Sequence, residues 1–179
     1  MRLQEKYKKE VALKLKEAFG YKSIMAIPAI EKVAVNIGAG KILQDSQYLE
    51  VMENPLKRIT GQKPIKTRAK KSIASFKIRA GMVVGFQVTL RGARMWDFIE
   101  KLINVTFPRV HDFRGLNPNS FDKNGNYSIG FREYTAFPEI RSDEVEKLHG
   151  LEVSIATTAK TDDEGRALLT LLGFPFKKN

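Results

Sequence analysis

Met82-Val83-Val84-Gly85-Phe86-Gln87-Val88-Thr89-Leu90-Arg91 alternates along its length. Val84, Phe86, Val88 and Leu90 fall on one side, and Val83, Gly85, Gln87, Thr89 and Arg91 on the other. That spacing predicts a strand with one face in a core and a second face that turns polar towards its end. Downstream, Ala93 to Thr106 has helical spacing that buries Met95, Ile99, Leu102, Ile103 and Thr106, with Pro108 as its stop. Upstream, a short strand near Pro64 to Thr67 is joined to the long one by Arg68 to Gly81, a connection with little periodicity of its own. Connections of that length in compact domains are functional or disordered.

Farther out the same two periods recur. Residues 2 to 19 place Leu3, Tyr7, Val11, Leu15 and Phe19 four apart, with Gly20 as a helix stop. In Glu31 to Ile37, Val33, Val35 and Ile37 alternate with Lys32, Ala34 and Asn36, which puts Asn36 on a polar strand face. A helix starting near Asp45 or Ser46 carries Tyr48, Met52, Leu56 and Ile59 and ends at Gly61, and Pro55 within it should kink or split it. Asn124-Gly125 is a turn signal ahead of a strand over Asn126 to Phe131. Leu151 to Thr157 reads as a last strand, and Asp162 to Leu172 as a last helix before Gly173. Strands and helices mixed around short connections predict an α+β fold with a mainly antiparallel sheet, in one two-layer domain over residues 1–179.

The charge is placed unevenly. Of 179 residues, 31 are Lys or Arg and 20 are Asp or Glu, a net +11. From Asn54 to Trp96 there is no acid, while eleven bases occur: Lys57, Arg58, Lys63, Lys66, Arg68, Lys70, Lys71, Lys77, Arg79, Arg91 and Arg94. The remainder of the chain balances. A one-signed stretch on a neutral body is the footprint of a polyanion binder, nucleic acid first among them. Beside the bases, Asn36, Gln62, Thr67, Gln87 and Thr89 offer neutral hydrogen-bonding groups able to meet ribose hydroxyls and base edges. Phe76 either stacks on a base or tucks onto the protein. Composition alone does not separate RNA from DNA.

Other chemistry is poorly represented. The absence of cysteine excludes disulfides and thiolate metal sites, and two histidines make a zinc site an unpromising reading. The first ten residues lack the apolar core of a signal peptide, nothing directs the chain out of the cytoplasm, and no apolar run is long enough to span a bilayer. Gly38-Ala39-Gly40-Lys41 follows a strand, but Val35, Ile42 and Leu43 break the phosphate-loop and dinucleotide patterns, leaving a glycine turn. His111 and Asp112 have no nucleophile placed by motif, and Glu144 and Glu146 read as solvated helix-start acids. The chain is expected to be no enzyme and to need no cofactor or metal. An architectural DNA binder, or an enzyme using the glycine turn for a phosphorylated ligand, are the rival readings.

Ile59-Thr60-Gly61-Gln62-Lys63-Pro64, Thr67-Arg68-Ala69-Lys70-Lys71-Ser72-Ile73-Ala74 and Phe76-Lys77 together resemble the signature of the large ribosomal subunit protein five family, which binds 5S ribosomal RNA. Val88-Thr89-Leu90-Arg91-Gly92, Asp112-Phe113-Arg114-Gly115-Leu116, Phe137-Pro138-Glu139-Ile140 and Thr157-Thr158-Ala159-Lys160-Thr161-Asp162 resemble the same family in the same order, in its bacterial form. The resemblance implies a single α+β domain with helices packed on one side of the sheet and a long basic loop. It implies a 5S rRNA site of Asn36, Gly38, Gln62, Lys63, Pro64, Lys66, Thr67, Thr89, Arg91 and Arg94. It assigns Arg68, Lys70, Lys71, Ser72, Phe76, Lys77, Arg79 and Gly81 to a loop that reaches peptidyl-site tRNA. Asp112, Arg114, Gly115, Phe137, Arg141 and Ser142 would touch small-subunit protein thirteen in an intersubunit bridge.

The implied partners also include 23S rRNA and the other 5S-associated large-subunit proteins of the central protuberance, with the chain a cytoplasmic monomer within the ribosome and no membrane. Two positions depart from the family pattern. Pro55 interrupts a helix and Gly165 stands where a helix former is usual, each an expected local cost of about 1 to 3 kcal/mol.

Overall fold

A computed structural model describes residues 2–40, 46–140 and 149–177, and over 46–51 the backbone only. Outside the described residues lie Lys41, Ile42, Leu43, Asp45, Glu144, Glu146, the Tyr48 side chain and the bridge candidates Arg141 and Ser142. The fold is α+β, built on a five-stranded antiparallel sheet in the order β2-β3-β1-β5-β4. Its strands are β1 (Ile30–Gly38), β2 (Ile65–Arg68), β3 (Val83–Leu90), β4 (Tyr127–Phe131) and β5 (Leu151–Thr157). Among the described residues no helix is long and apolar enough to cross a membrane. The chain divides into two compact units, residues 1–33, 90–129 and 154–179 in the first and 34–89 and 130–153 in the second.

In the first unit, helix α1 (Leu3–Lys6) widens into a π-helical stretch over Tyr7–Val11 and resumes as α2 (Ala12–Phe19). Gly20 ends it at φ +68°, the left-handed conformation that glycine adopts without steric cost. Leu3, Val11 and Leu15 are buried, whereas Phe19 is partly exposed. A strict spacing of four precesses by about 40° per step around a helix of 3.6 residues per turn, which carries the last position off the buried stripe. Tyr7 is half-buried, with its ring 5.4 Å from Trp96 and its hydroxyl donating to the Pro28 carbonyl at 3.0 Å.

Helix α4 (Gly92–Lys101) continues through a π-helical stretch at Leu102–Thr106 into α5 (Phe107–Arg109). Pro108 therefore does not end the helix. It lies in the last turn, directly after the π-helical stretch and one residue before the helix ends at Arg109. Met95, Ile99, Leu102 and Thr106 are buried as their spacing predicts, and Ile103 is only half-buried. Trp96, Phe98 and Phe107 are buried as well. The ring of Phe107 stacks on Phe113 at 5.3 Å and meets the edge of Phe174 at 5.9 Å.

The last helix, α6 (Asp162–Leu172), explains the unexpected glycine within it. Thr161 caps it by accepting from the Glu164 N–H at 3.4 Å, and Glu164 Oε2 accepts from the Lys160 N–H at 2.8 Å. Asp162 Oδ1 accepts from the Gly125 N–H at 3.1 Å, and Thr157 Oγ1 donates to the Gly125 carbonyl at 2.8 Å. The helix thus lies directly on the turn before β4. A Cβ on Gly165 would stand 2.5 Å from the Gly125 oxygen and 2.9 Å from its Cα. Gly165 is required by this close approach, and its expected cost to helix stability is offset by packing that no larger residue permits.

The second unit holds the part of β1 with Val35 and Ile37 buried, together with β2, most of β3 and helix α3 (Ser46–Thr60). Pro55 does not split α3. Its missing N–H forfeits one bond to the carbonyl four residues back, while Met52, Leu56 and Ile59 are fully buried along one side and hold the helix down. Thr60 Oγ1 donates to the Leu56 carbonyl at 2.7 Å, and Gly61 at φ +65° turns the chain towards β2. Phe131, Tyr134 and Phe137 are buried, with the Phe131 and Phe137 rings 5.5 Å apart.

Gly165→Ala should lower stability by about 1 kcal/mol or more in urea unfolding, although alanine is the better helix former, because the clash is with backbone. In the turn before β4, Asp122 accepts from the side chain of Asn126 at 2.7 Å and from the Asn124 and Asn126 N–H groups at 2.9 and 3.0 Å. These bonds, the Asn126 side chain foremost, hold its carboxyl below the usual range. With the folded pKa below the unfolded value, the stability it contributes is present above about pH 4 and is lost as pH falls through the folded pKa. Asp122→Asn should therefore flatten the acid limb of a stability-against-pH curve.

Candidate nucleic-acid interface

Alternation in the second unit sorts its strand residues onto two faces. Val35 and Ile37 of β1 and Phe86 and Val88 of β3 are buried on one. The other carries Ala34, Asn36 and Gly38 from β1, Gly85, Gln87 and Thr89 from β3, and Ile65 and Thr67 from β2. The antiparallel register sets Ile65 opposite Gln87 and Thr67 opposite Gly85, and it shifts between Thr67 and Arg68. Asn36, Gly38, Ile65 and Gln87 are exposed, and Thr67 and Thr89 half-exposed. This face is shallow. Ala34, Gly38 and Gly85 are small, and at Gly85 even a methyl group would collide with the Ile37 carbonyl and come within 3.1 Å of Thr67 Oγ1. The Ala39 N–H donates to the Val84 carbonyl at 2.9 Å, tying the glycine turn to β3.

The turn from α3 into β2 is braced against the same strand. Gln62 is half-buried and its Nε2 donates to the Thr89 carbonyl at 3.3 Å. That amide group, expected to read RNA directly, is partly committed to positioning β3. Lys63 is exposed and Pro64 buried, so Pro64 shapes the turn from beneath. Lys66 falls on the opposite strand face from Thr67 and pairs with Glu53 at 3.5 Å. A surface pair of this kind contributes at most about 1 kcal/mol.

Arg68 to Gly81, read as a long connection with little periodicity, forms a hairpin. Ile73 and Ile78 exchange both backbone hydrogen bonds, at 2.8 and 3.1 Å. The Ala69 N–H donates to the Met82 carbonyl at 2.8 Å and the Gly81 N–H to the Ala69 carbonyl at 2.9 Å. Ser72 Oγ accepts from the Ala80 N–H at 2.9 Å, and Arg68 Nη1 donates to the Gly81 carbonyl at 3.3 Å. The tip is a single 3-10 turn over Ala74–Phe76 followed by Lys77 at φ +54°. Arg68, Ser72 and Gly81 thus hold the hairpin together. Lys70, Lys71, Lys77 and Arg79 are exposed, and Phe76 stands 70% exposed rather than tucked onto the protein.

The other expected residues separate. Arg91 and Arg94 belong to the first unit, exposed at the start of α4, as do Asp112, Arg114 and Gly115. Asp112 takes φ +53° and Gly115 φ +98°, with the Lys177 backbone close against Gly115. Phe137, expected at a bridge, is wholly buried. Its ring supports the 137–140 segment from within, and a partner could meet only the surface above it. Among the described residues no cluster of His, Asp and Glu could hold a metal ion. Ile65 is absent from the expected site, although the register that sets Thr67 on the open face sets it there too, and Gln87, read as a neutral hydrogen-bonding group, is missing from the 5S rRNA site that the resemblance implies.

Two family models match the chain, one described as ribosomal protein L5 over residues 23–79 and the other as the C-terminus of the same ribosomal family over residues 83–176. A large ribosomal subunit protein uL5 from Thermus thermophilus is 54% identical over 176 residues, covering 98% of this chain and 97% of that protein. Those from Halothermothrix orenii and Caldanaerobacter subterraneus are 53% and 55% identical, covering 98% and 99% of both chains respectively. With both models in register and such relatives matched end to end, the chain belongs to the ribosomal protein L5 family.

Proposed function

We propose that this protein anchors 5S rRNA in the large ribosomal subunit through the shallow polar sheet face of its second unit. As a member of its family it is a structural constituent of the large subunit and of the cytoplasm, and not an enzyme. The observation that carries the finer reading is the coincidence of charge and shape. The acid-free window, which holds the whole net charge, contains β2, β3 and the hairpin between them. Lys63 supplies a phosphate contact beside that face, and Asn36, Thr67 and Thr89 supply neutral groups that fix register against riboses. Arg91 and Arg94, exposed on the first unit, add phosphate contacts of their own. The exposed bases of the 68–81 hairpin, with Phe76 at its tip, serve a second RNA, peptidyl-site tRNA. Asp112 and Arg114, and separately the surface over Phe137, serve the contact with small-subunit protein thirteen.

Binding of 5S rRNA should weaken steeply with salt, with a log-log slope of about 0.7 to 0.9 per phosphate neutralised. A flat plot, or equal competition by duplex DNA, would overturn the electrostatic account. Asn36→Ala and Thr89→Ala should each weaken binding about tenfold without changing that slope, since they remove neutral contacts of about 1 to 2 kcal/mol. Lys70→Ala with Lys71→Ala should leave isolated 5S binding intact and weaken tRNA retention in reconstituted ribosomes. Loss of 5S binding in that double variant would put the hairpin in the primary site.

A further inference from the structure

We infer that Ile65, with Gln87 across from it, is a further contact residue of the 5S rRNA site, packing its aliphatic side chain on ribose carbons in a shallow minor groove. The inference rests on the proposed reading of the sheet face and assigns that face a residue it lacked. Ile65 is 71% exposed on β2, the edge strand, where its pairing with Gln87 sets it on the polar face. Apart from the half-buried Val83 at the start of β3, every other side chain there is small or hydrogen-bonding: Ala34, Asn36, Gly38, Thr67, Gly85, Gln87 and Thr89. A large aliphatic group in water on such a face contributes nothing to the core.

Its chemistry matches one kind of surface. The minor groove of an A-form helix is wide and shallow, and it displays 2′-hydroxyls beside the C–H edges of the sugars. Amides and hydroxyls meet the hydroxyls; an isoleucine meets the sugar carbons. The low floor at Gly38 and Gly85 lets the groove approach, and Ile65 stands above that floor as its largest apolar group. Gln87, exposed and directly opposite, lies within reach of the same nucleotides. The contact involves no charge. It therefore predicts a loss of affinity that salt does not modulate, which separates it from the lysines nearby.

The test uses the full-length protein and a 5S rRNA transcript, titrated at several salt concentrations. Ile65→Ser should bind about tenfold more weakly, from lost apolar burial, with the salt slope and the melting temperature unchanged, and Ile65→Leu should bind within about threefold of the parent. Equal binding by Ile65→Ser and the parent would overturn the inference, as would a loss that Ile65→Leu shares. The reading beneath it fails separately: if Asn36→Ala and Thr89→Ala also bind normally, the sheet face is not the site. If those two weaken binding and Ile65→Ser does not, only the role of Ile65 is lost.

Discussion

The contact at Gly85, where β3 runs so close to the Ile37 carbonyl of β1 that no side chain fits between, fixes the character of both faces. On one side, Phe86, Val88, Val35 and Ile37 bury completely, as do Met52, Leu56 and Ile59 of α3. On the other, the contact leaves room only for glycine at position 85, with Gly38 beside it. The open face is thus a consequence of the pairing that builds the core. A bulkier residue at Gly85 would disturb stability and surface shape together.

Electrostatics then divides the labour along the acid-free window. Its bases are not equivalent once placed. Lys66 is paired with Glu53 on the helix side of the strand, and Arg68 is bonded to the Gly81 carbonyl within the hairpin. Lys63, Lys70, Lys71, Lys77 and Arg79 stand in water. The neutral groups divide similarly, with Gln62 bracing the Thr89 backbone while Asn36 and Thr89 face outward. A run of like charge in one dimension becomes supports and exposed groups in three.

Much of this is legible in the residues. Period-two alternation places β1, β3 and β5, and the threonine and glycine that bound α6 mark its ends, because local rules set those features. What escapes such a reading are effects of residues distant in sequence. The need for glycine at position 165 arises from the turn at Gly125, and the burial of Phe137 from Phe131 and its neighbours. The continuity of α3 through Pro55 depends on side chains packed beneath it, which propensity does not register. The hairpin at 68–81 has no periodicity to read, since its order comes from backbone bonds, one serine hydroxyl and the Arg68 guanidinium. Ile65 escapes for a different reason: alternation turns it outward, but an outward isoleucine carries no polar signal.

The ladder inside that hairpin bears on the rate of the RNA contact proposed for it. Its backbone is closed on itself through Ile73 with Ile78, Ala69 with Met82, and Ser72 with Ala80. A segment already cross-linked in this way gives up little further backbone freedom when it docks. On the proposed reading, capture of a second RNA by the hairpin is governed by diffusion and orientation, and the positive field of the exposed lysines shortens the search.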